Sequence, residues 1–132
     1  MSKKLITVSG KRKRAIARAT LKEGLGVVRV NNILIENYNP IAYRMKIMEP
    51  LMLGSETAKK VNISVKVQGG GTSGQAEAAR LAIARALAAF DSSLEDVFLK
   101  YDRNLVVADV RRNETSKPGR SKPRAKRQKS YR

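Results

Sequence analysis

Residues 61–90, VNISVKVQGGGTSGQAEAARLAIARALAAF, decide how the rest of the chain is read. Val61, Ile63, Val65 and Val67 alternate with Asn62, Ser64 and Lys66. That period of two belongs to a strand with one covered face. Beyond Gly69, Gly70 and Gly71 the period lengthens. Ala79, Ile83, Ala86, Leu87 and Phe90 then share one side of a helix. Its many alanines let it lie close to a sheet. Thr72 and Gln75 have the spacing of a capping box at the start of that helix.

Upstream, Ala15, Ala17, Ala19 and Leu21 take one face of a strand, and Arg14, Ile16, Arg18 and Thr20 take the other. Ile6 and Val8 alternate more weakly before it. The basic run Lys11-Arg12-Lys13-Arg14 then falls at a hairpin tip. Val27 to Val30 and Ile33 to Ile35 supply further strand material, with a turn or bulge at Asn31-Asn32. Asn39-Pro40 reads as a helix start. Ile41, Met45, Met48 and Met52 form a helical stripe that reads as core packing. Pro50 is expected to kink or end that helix, and Gly54 to stop it. Downstream, Ser92 with Glu95 repeats the capping signal and opens a short helix to about Tyr101. Leu105 to Val110 reads as a last extended segment.

The expected fold is α+β, a two-layer sheet-and-helix domain of three strands, helix, strand, then a long and a short helix. The domain covers residues 1–110. In residues 111–132 no apolar side chain larger than Ala125 precedes Tyr131. Such a stretch buries too little to offset its ordering entropy, so a disordered basic tail is expected there.

The chain has 132 residues, enough for one domain with a modest core. It carries 28 Lys and Arg against 11 Asp and Glu, a formal charge of +17, with no Cys and no His. Zinc fingers, disulfide scaffolds, thiol nucleophiles and imidazole bases are therefore excluded. No apolar run approaches the roughly 18 residues of a membrane span. The start, MSKKLITVSGKRKR, has too short an apolar stretch for a secretory signal, so a cytoplasmic location is expected. The charge is uneven. Residues 1–18 net +7, residues 19–110 net +1 and residues 111–132 net +9. A nearly neutral body with two cationic extremities is the electrostatic footprint of a polyanion binder.

Strand, glycines and helix at 61–90 also have the order of a nucleotide-binding P-loop. Gln75 stands where that loop needs its Lys, and Ala76 where it needs the hydroxyl that holds Mg²⁺. What survives is a loop offering backbone N–H groups and a positive helix end to a phosphate. The same glycines also serve a tight turn. Glu95 and Asp96 are adjacent and point apart on a helix, and no His is available as a base. No nucleophile is activated. No cofactor, no metal and no enzyme activity are expected. The basic segments remain as the chemistry. Arg112, Lys117, Arg120, Lys122, Arg124, Lys126 and Arg127 recur along an extended chain suited to following phosphates. Membrane adhesion would need an apolar face, which this tail lacks. A free-standing DNA compactor and a degenerate nucleotide-binding enzyme are the competing readings.

The motifs go further than composition. VSGKRKRAIARA (8–19), V-x-G-G-G-T-S-G-Q-A-E-A-A-R (67–80) running into AIARAL (82–87), YDRNLVVADVRR (101–112) and QKSYR (128–132) together resemble the family of the ninth small-subunit ribosomal protein, in its archaeal and eukaryotic form. The resemblance implies a left-handed crossover in the fold. It implies a structural part in the small (30S) subunit during translation, bound to the 3′ domain of its rRNA in the head beside neighbouring head proteins. The rRNA-binding residues it points to are Lys11, Arg12, Lys13, Arg14, Arg18, Gly69, Gly70, Gly71, Thr72, Gln75, Arg111, Arg112 and the tail cations Lys117 to Arg127. It further implies that Lys129, Ser130, Tyr131 and Arg132 approach the anticodon stem-loop of the P-site tRNA.

Overall fold

The computed structural model describes residues 5–38, 41–105 and 107. The Asn39-Pro40 helix start, most of the extended segment expected up to Val110, and the whole basic tail lie outside the described residues.

Strand β1 (Leu5–Arg12) turns at Lys13-Arg14 into β2 (Ala15–Glu23), and Arg12 pairs with Ala15 across the tip. Lys13 takes a positive φ of 55° there. Strands β3 (Val28–Val30) and β4 (Ile33–Leu34) form a second hairpin. Asn31 and Asn32 fill its turn at φ of 51° and 68°. Two central residues at positive φ match the right-handed twist of the flanking strands, which is why asparagines stand there. The third strand read from the sequence is thus two short ones. Helices α1 (Ile41–Leu53) and α2 (Ser55–Ala58) follow, then β5 (Val61–Gln68), α3 (Thr72–Phe90) and α4 (Ser93–Tyr101).

The sheet order is β1-β2-β5-β3-β4. Strand β5 runs antiparallel to β2 and parallel to β3, so the chain crosses over through α1 and α2 before inserting its last strand between the two hairpins. The expected α+β, sheet-and-helix architecture is what the structure shows. One face of the sheet is covered: Ala15, Ala17, Ala19, Leu21, Val61, Ile63 and Val65 are buried, while their neighbours in sequence face outward. Helix α3 lies on that face across β1, β2 and β5, with α1 packed against α3.

Close approach explains the small residues. A Cβ on Gly10 would stand 2.4 Å from the Ala78 carbonyl oxygen and 2.7 Å from the Ala82 nitrogen. Only a residue without a side chain lets β1 pass so near α3. Phe98 of α4, Ile47 of α1 and Leu105 are fully buried at the helix end of the same core. Each contributes on the order of 1.5–3 kcal/mol through burial.

Four sequence expectations are corrected. The methionine stripe of α1 is not core: Ile41, Met45 and Met52 are 60%, 65% and 70% exposed. The helix instead packs on Ile47 and Pro50, with Tyr43, Met48 and Leu51 partly covered, so the contact stripe is rotated from the one expected. Pro50 does not end α1, which runs to Leu53, although Gly54 does follow its last residue. Neither capping box forms. Gly71 occupies the cap of α3 and Gln75 Nε2 donates to the Gly69 carbonyl instead, at 3.2 Å. At α4 it is Asp91 Oδ1 that accepts from the Ser93 N–H and hydroxyl, at 3.1 and 2.7 Å. Finally, the segment expected to be extended from Leu105 onward begins in a 3₁₀ turn, Arg103–Leu105.

Candidate nucleic-acid interface

The β1–β2 tip and the turn from β5 into α3 form one surface. Gly69 and Gly70 have φ of 78° and 65°. A Cβ on Gly69 would lie 2.6 Å from the Arg14 carbonyl oxygen, and one on Gly70 would lie 3.0 Å from the Ala15 nitrogen. These two glycines are therefore explained by the turn and by contact with the hairpin. Gly71 is different. Its φ is −98°, and a Cβ added there would meet nothing within 4 Å. It stands at the open N-terminal end of α3, where Thr72 and Ser73 are exposed. No side chain caps this helix and no acid occupies its first turn. Its leading N–H groups and helix dipole thus present positive potential beside the cationic tip.

The basic run at the tip is divided by the strand's alternation. Lys11 faces outward from the sheet, and Lys13 and Arg14 stand exposed at the turn. Arg12 points the other way, toward the helices, where its guanidinium donates to Glu77. Lys46 approaches the other oxygen of Glu77 at 3.6 Å. Glu77, the acid nearest the start of α3, is thereby drawn into pairing on the helix side. Of the four tip cations, Lys11, Lys13 and Arg14 are the ones displayed to a partner. Arg18 is exposed on the outer face of β2. Gln75 is held by its contact with Gly69 and shapes the loop. Arg111, Arg112, Lys117, Arg120, Lys122, Arg124, Lys126, Arg127, Lys129, Ser130, Tyr131 and Arg132 lie outside the described residues.

On the helix side Arg80 has two acidic partners. Arg80 donates to Glu49 Oε2 through Nε and Nη2, at 2.9 and 2.6 Å, and through Nη2 to Asp102 Oδ2 at 3.1 Å. This cluster bridges α1, α3 and the end of α4. Sequence reading missed it, since Glu49, Arg80 and Asp102 carry no signal of spacing. Among the described residues no group of acids or other ligands has the geometry to hold a metal ion, and no helix is long and apolar enough to cross a membrane.

The chain matches the ribosomal protein S9/S16 family over residues 10–132. The chain belongs to that family. A relative named small ribosomal subunit protein uS9, from Methanothrix thermoacetophila, is 47% identical over 131 residues, covering 98% of this chain and 99% of its own. The uS9 of Thermoplasma acidophilum is 50% identical over 126 residues, 94% of this chain and 98% of its own. That of Thermoplasma volcanium is 47% identical over 129 residues, 96% and 98% of the two chains. The family resemblance read from the motifs at 8–19, 67–80 and 101–112 is thus shown, with archaeal relatives. Ribosomal protein S9/S16 members are structural, non-enzymatic components of the ribosome, so the P-loop-like order of strand, glycines and helix in this chain serves no nucleotide hydrolysis.

Proposed function

We propose that this protein is a structural component of the small ribosomal subunit, located with it in the cytoplasm, that binds the 3′ domain of the small-subunit rRNA in the subunit head, beside neighbouring head proteins. Its body, residues 1–110, holds the rRNA, and residues 111–132 extend the contact as a basic arm. The observation that carries this reading is the juxtaposition of the exposed cations Lys11, Lys13 and Arg14 with the uncapped, acid-free start of α3 at Gly71 and Thr72. Cationic side chains and free backbone N–H groups converging on one spot suit a phosphate backbone. The curated relatives are named as small-subunit proteins, which supports the subunit assignment. In the arm, Arg111, Arg112 and the cations from Lys117 to Arg127 neutralise further phosphates. Lys129, Ser130, Tyr131 and Arg132 reach the anticodon stem-loop of the P-site tRNA, where a charge-assisted contact and a flat ring serve backbone and base.

The test is the salt dependence of binding to a transcript of the rRNA 3′ domain. Replacing Lys11, Lys13 and Arg14 by Ser flattens the log–log slope by about 0.7–0.9 for each phosphate no longer neutralised. An unchanged slope means that the tip faces solvent in the particle.

A further inference from the structure

We propose that the open face of the sheet is a second RNA-binding surface, built by Arg18, Lys22, Arg29 and Lys66 around Thr20 and Ser64, and that it takes the sugar–phosphate backbone of a double-helical RNA segment. This rests on the RNA-binding reading above. It adds a surface on the far side of the sheet from the helices and the kind of RNA that fits it.

The strand register places the groups. Arg18 lies directly opposite Lys66, Thr20 opposite Ser64, and Lys22 opposite Asn62 on the β2–β5 ladder. Arg29 on β3 is the partner of Ser64 on the other edge of β5. Four cations thus ring one concavity of about 560 Å³ across three strands. Asn62 holds its rim, accepting hydrogen bonds from the Leu25 and Val27 N–H groups through Oδ1, both at 3.0 Å.

Like charges set directly opposite each other destabilise a sheet, and the pair of Arg18 and Lys66 breaks that rule. Among the described residues none of the four cations has a carboxylate partner to compensate. On the helix side, by contrast, Arg12, Lys46 and Arg80 are each matched to an acid. A face evolved only for solubility would intersperse both signs. A local rule broken without internal gain marks a surface completed by a partner, and the partner of four clustered cations is a polyanion.

The neighbouring groups narrow the polyanion. No aromatic ring stands on the outward positions of β2, β3 or β5, so unstacked bases find no platform. The centre of the face is instead two hydroxyls, Thr20 and Ser64. Short hydroxyls flanked by cations suit ribose 2′-OH groups between phosphates, which is how helical RNA is recognised by shape. The face is also continuous with the hairpin tip along β2. From Arg14 to Lys22 the strand runs roughly 27 Å at about 3.4 Å per residue, so one RNA helix can lie along both.

The experiment uses the full chain and a variant with Arg18→Gln, Lys22→Gln, Arg29→Gln and Lys66→Gln. A second variant exchanges Arg for Lys and Lys for Arg at the same four positions, and the hairpin variant above serves as reference. All are titrated with the 3′-domain transcript over a series of salt concentrations, then with a 20-base-pair RNA duplex and with one of its strands. Thermal melts check that the variants fold. The expected result is that the Gln variant melts normally, binds the transcript with a slope reduced by about 1.4–3.6, as two to four phosphates go without a cation, and loses more affinity for duplex than for single strand. The charge-preserving variant retains most of the binding. If the Gln variant keeps the wild-type slope while the hairpin variant loses part of it, the sheet face does not meet RNA and this inference alone falls. Equal or greater loss on the single strand overturns the assignment to helical RNA. If the wild-type chain binds neither transcript nor duplex, the RNA-binding reading falls with it.

Discussion

The glycines at 69–71 look alike in sequence and do different things. Gly69 combines a φ of 78° with a backbone oxygen 2.6 Å from the site of a Cβ, whereas Gly71 is extended and open. Gly69→Ala is therefore expected to cost about 1–3 kcal/mol of stability. Gly71→Ala stays within about 0.5 kcal/mol of wild type but weakens rRNA binding, since a methyl group then stands where phosphate approaches the helix end. Chemical denaturation and RNA titration of the two variants separate the roles. A neutral Gly69→Ala would refute the turn explanation. Asp91 offers a pH test. Hydrogen bonds from the Ser93 hydroxyl and N–H, then from Thr57, hold its carboxyl below the ordinary carboxylate range. A carboxyl lowered in the folded state stabilises the protein above the unfolded value, about 4 for Asp. That contribution is lost as pH falls through the folded value. The wild type is thus more stable than Asp91→Asn near neutrality, and the difference closes in acid. Melting both across pH 2–7 checks it, and a gap that persists at the acid end contradicts it. The glycine run was legible in sequence as both turn and phosphate loop. What decides between them at each position is which backbone lies opposite, and no local pattern reports that.

At the scale of elements, the α3–sheet contact depends on absent atoms. Gly10→Ala places a methyl group 2.4 Å from the Ala78 carbonyl oxygen, so α3 must move off β1. A loss of about 1–3 kcal/mol is expected, and an unchanged denaturation midpoint would show that the helix has room to spare. One side chain extends the β3–β5 pairing beyond its backbone ladder. Asn31 Oδ1 accepts from the Val67 N–H at 2.8 Å and its Nδ2 donates to the Val67 carbonyl at 3.2 Å, continuing the ladder where β3 ends. Asn31→Gly keeps the positive φ but removes both bonds, and hydrogen exchange at Val67 is expected to accelerate relative to exchange at Ile63, nearer the start of the same strand. Equal protection in the two proteins would disprove the role. Alternation in residues 15–21 and 61–67 revealed which faces are covered, because a strand's side chains flip with strict period two. In α1 the reading failed for a physical reason. Met45 and Met52 are apolar enough for a core, but the helix is oriented by what α3 offers it, and Ile47 and Pro50 fit that surface.

For the whole molecule, Glu77, Glu49 and Asp102 pair with Arg12, Lys46 and Arg80 on the helix side, while Arg18, Lys22, Arg29 and Lys66 cluster on the sheet's outer face. Two outcomes are expected at the C-terminal end. A chain cut after Val110 is expected to melt as the full chain does, because residues 111–130 contain no large apolar side chain to bury. A clear fall in melting temperature would mean that the arm packs on the domain. Deleting Lys129 to Arg132 leaves small subunits assembled but weakens P-site tRNA binding by roughly 1–3 kcal/mol if one charge-assisted contact goes. Filter binding of tRNA to purified subunits decides this, and equal affinities would remove tRNA from the arm's partners. The sequence by itself pointed to a polyanion partner through its uneven charge, left the chain without a thiol or an imidazole, and placed strands before and after the first helix. It also determined the family, through motifs distributed along the chain. Those properties are local or additive, written in periodicity, composition and short patterns. Only the tertiary structure decided that β5 inserts between the two hairpins, that Gly69 rests on Arg14, and that Arg18 faces Lys66 across a ladder joining residues 48 positions apart. Which strands become neighbours is settled by packing the apolar faces of distant segments on one core, and the charges those strands carry are brought together as a consequence.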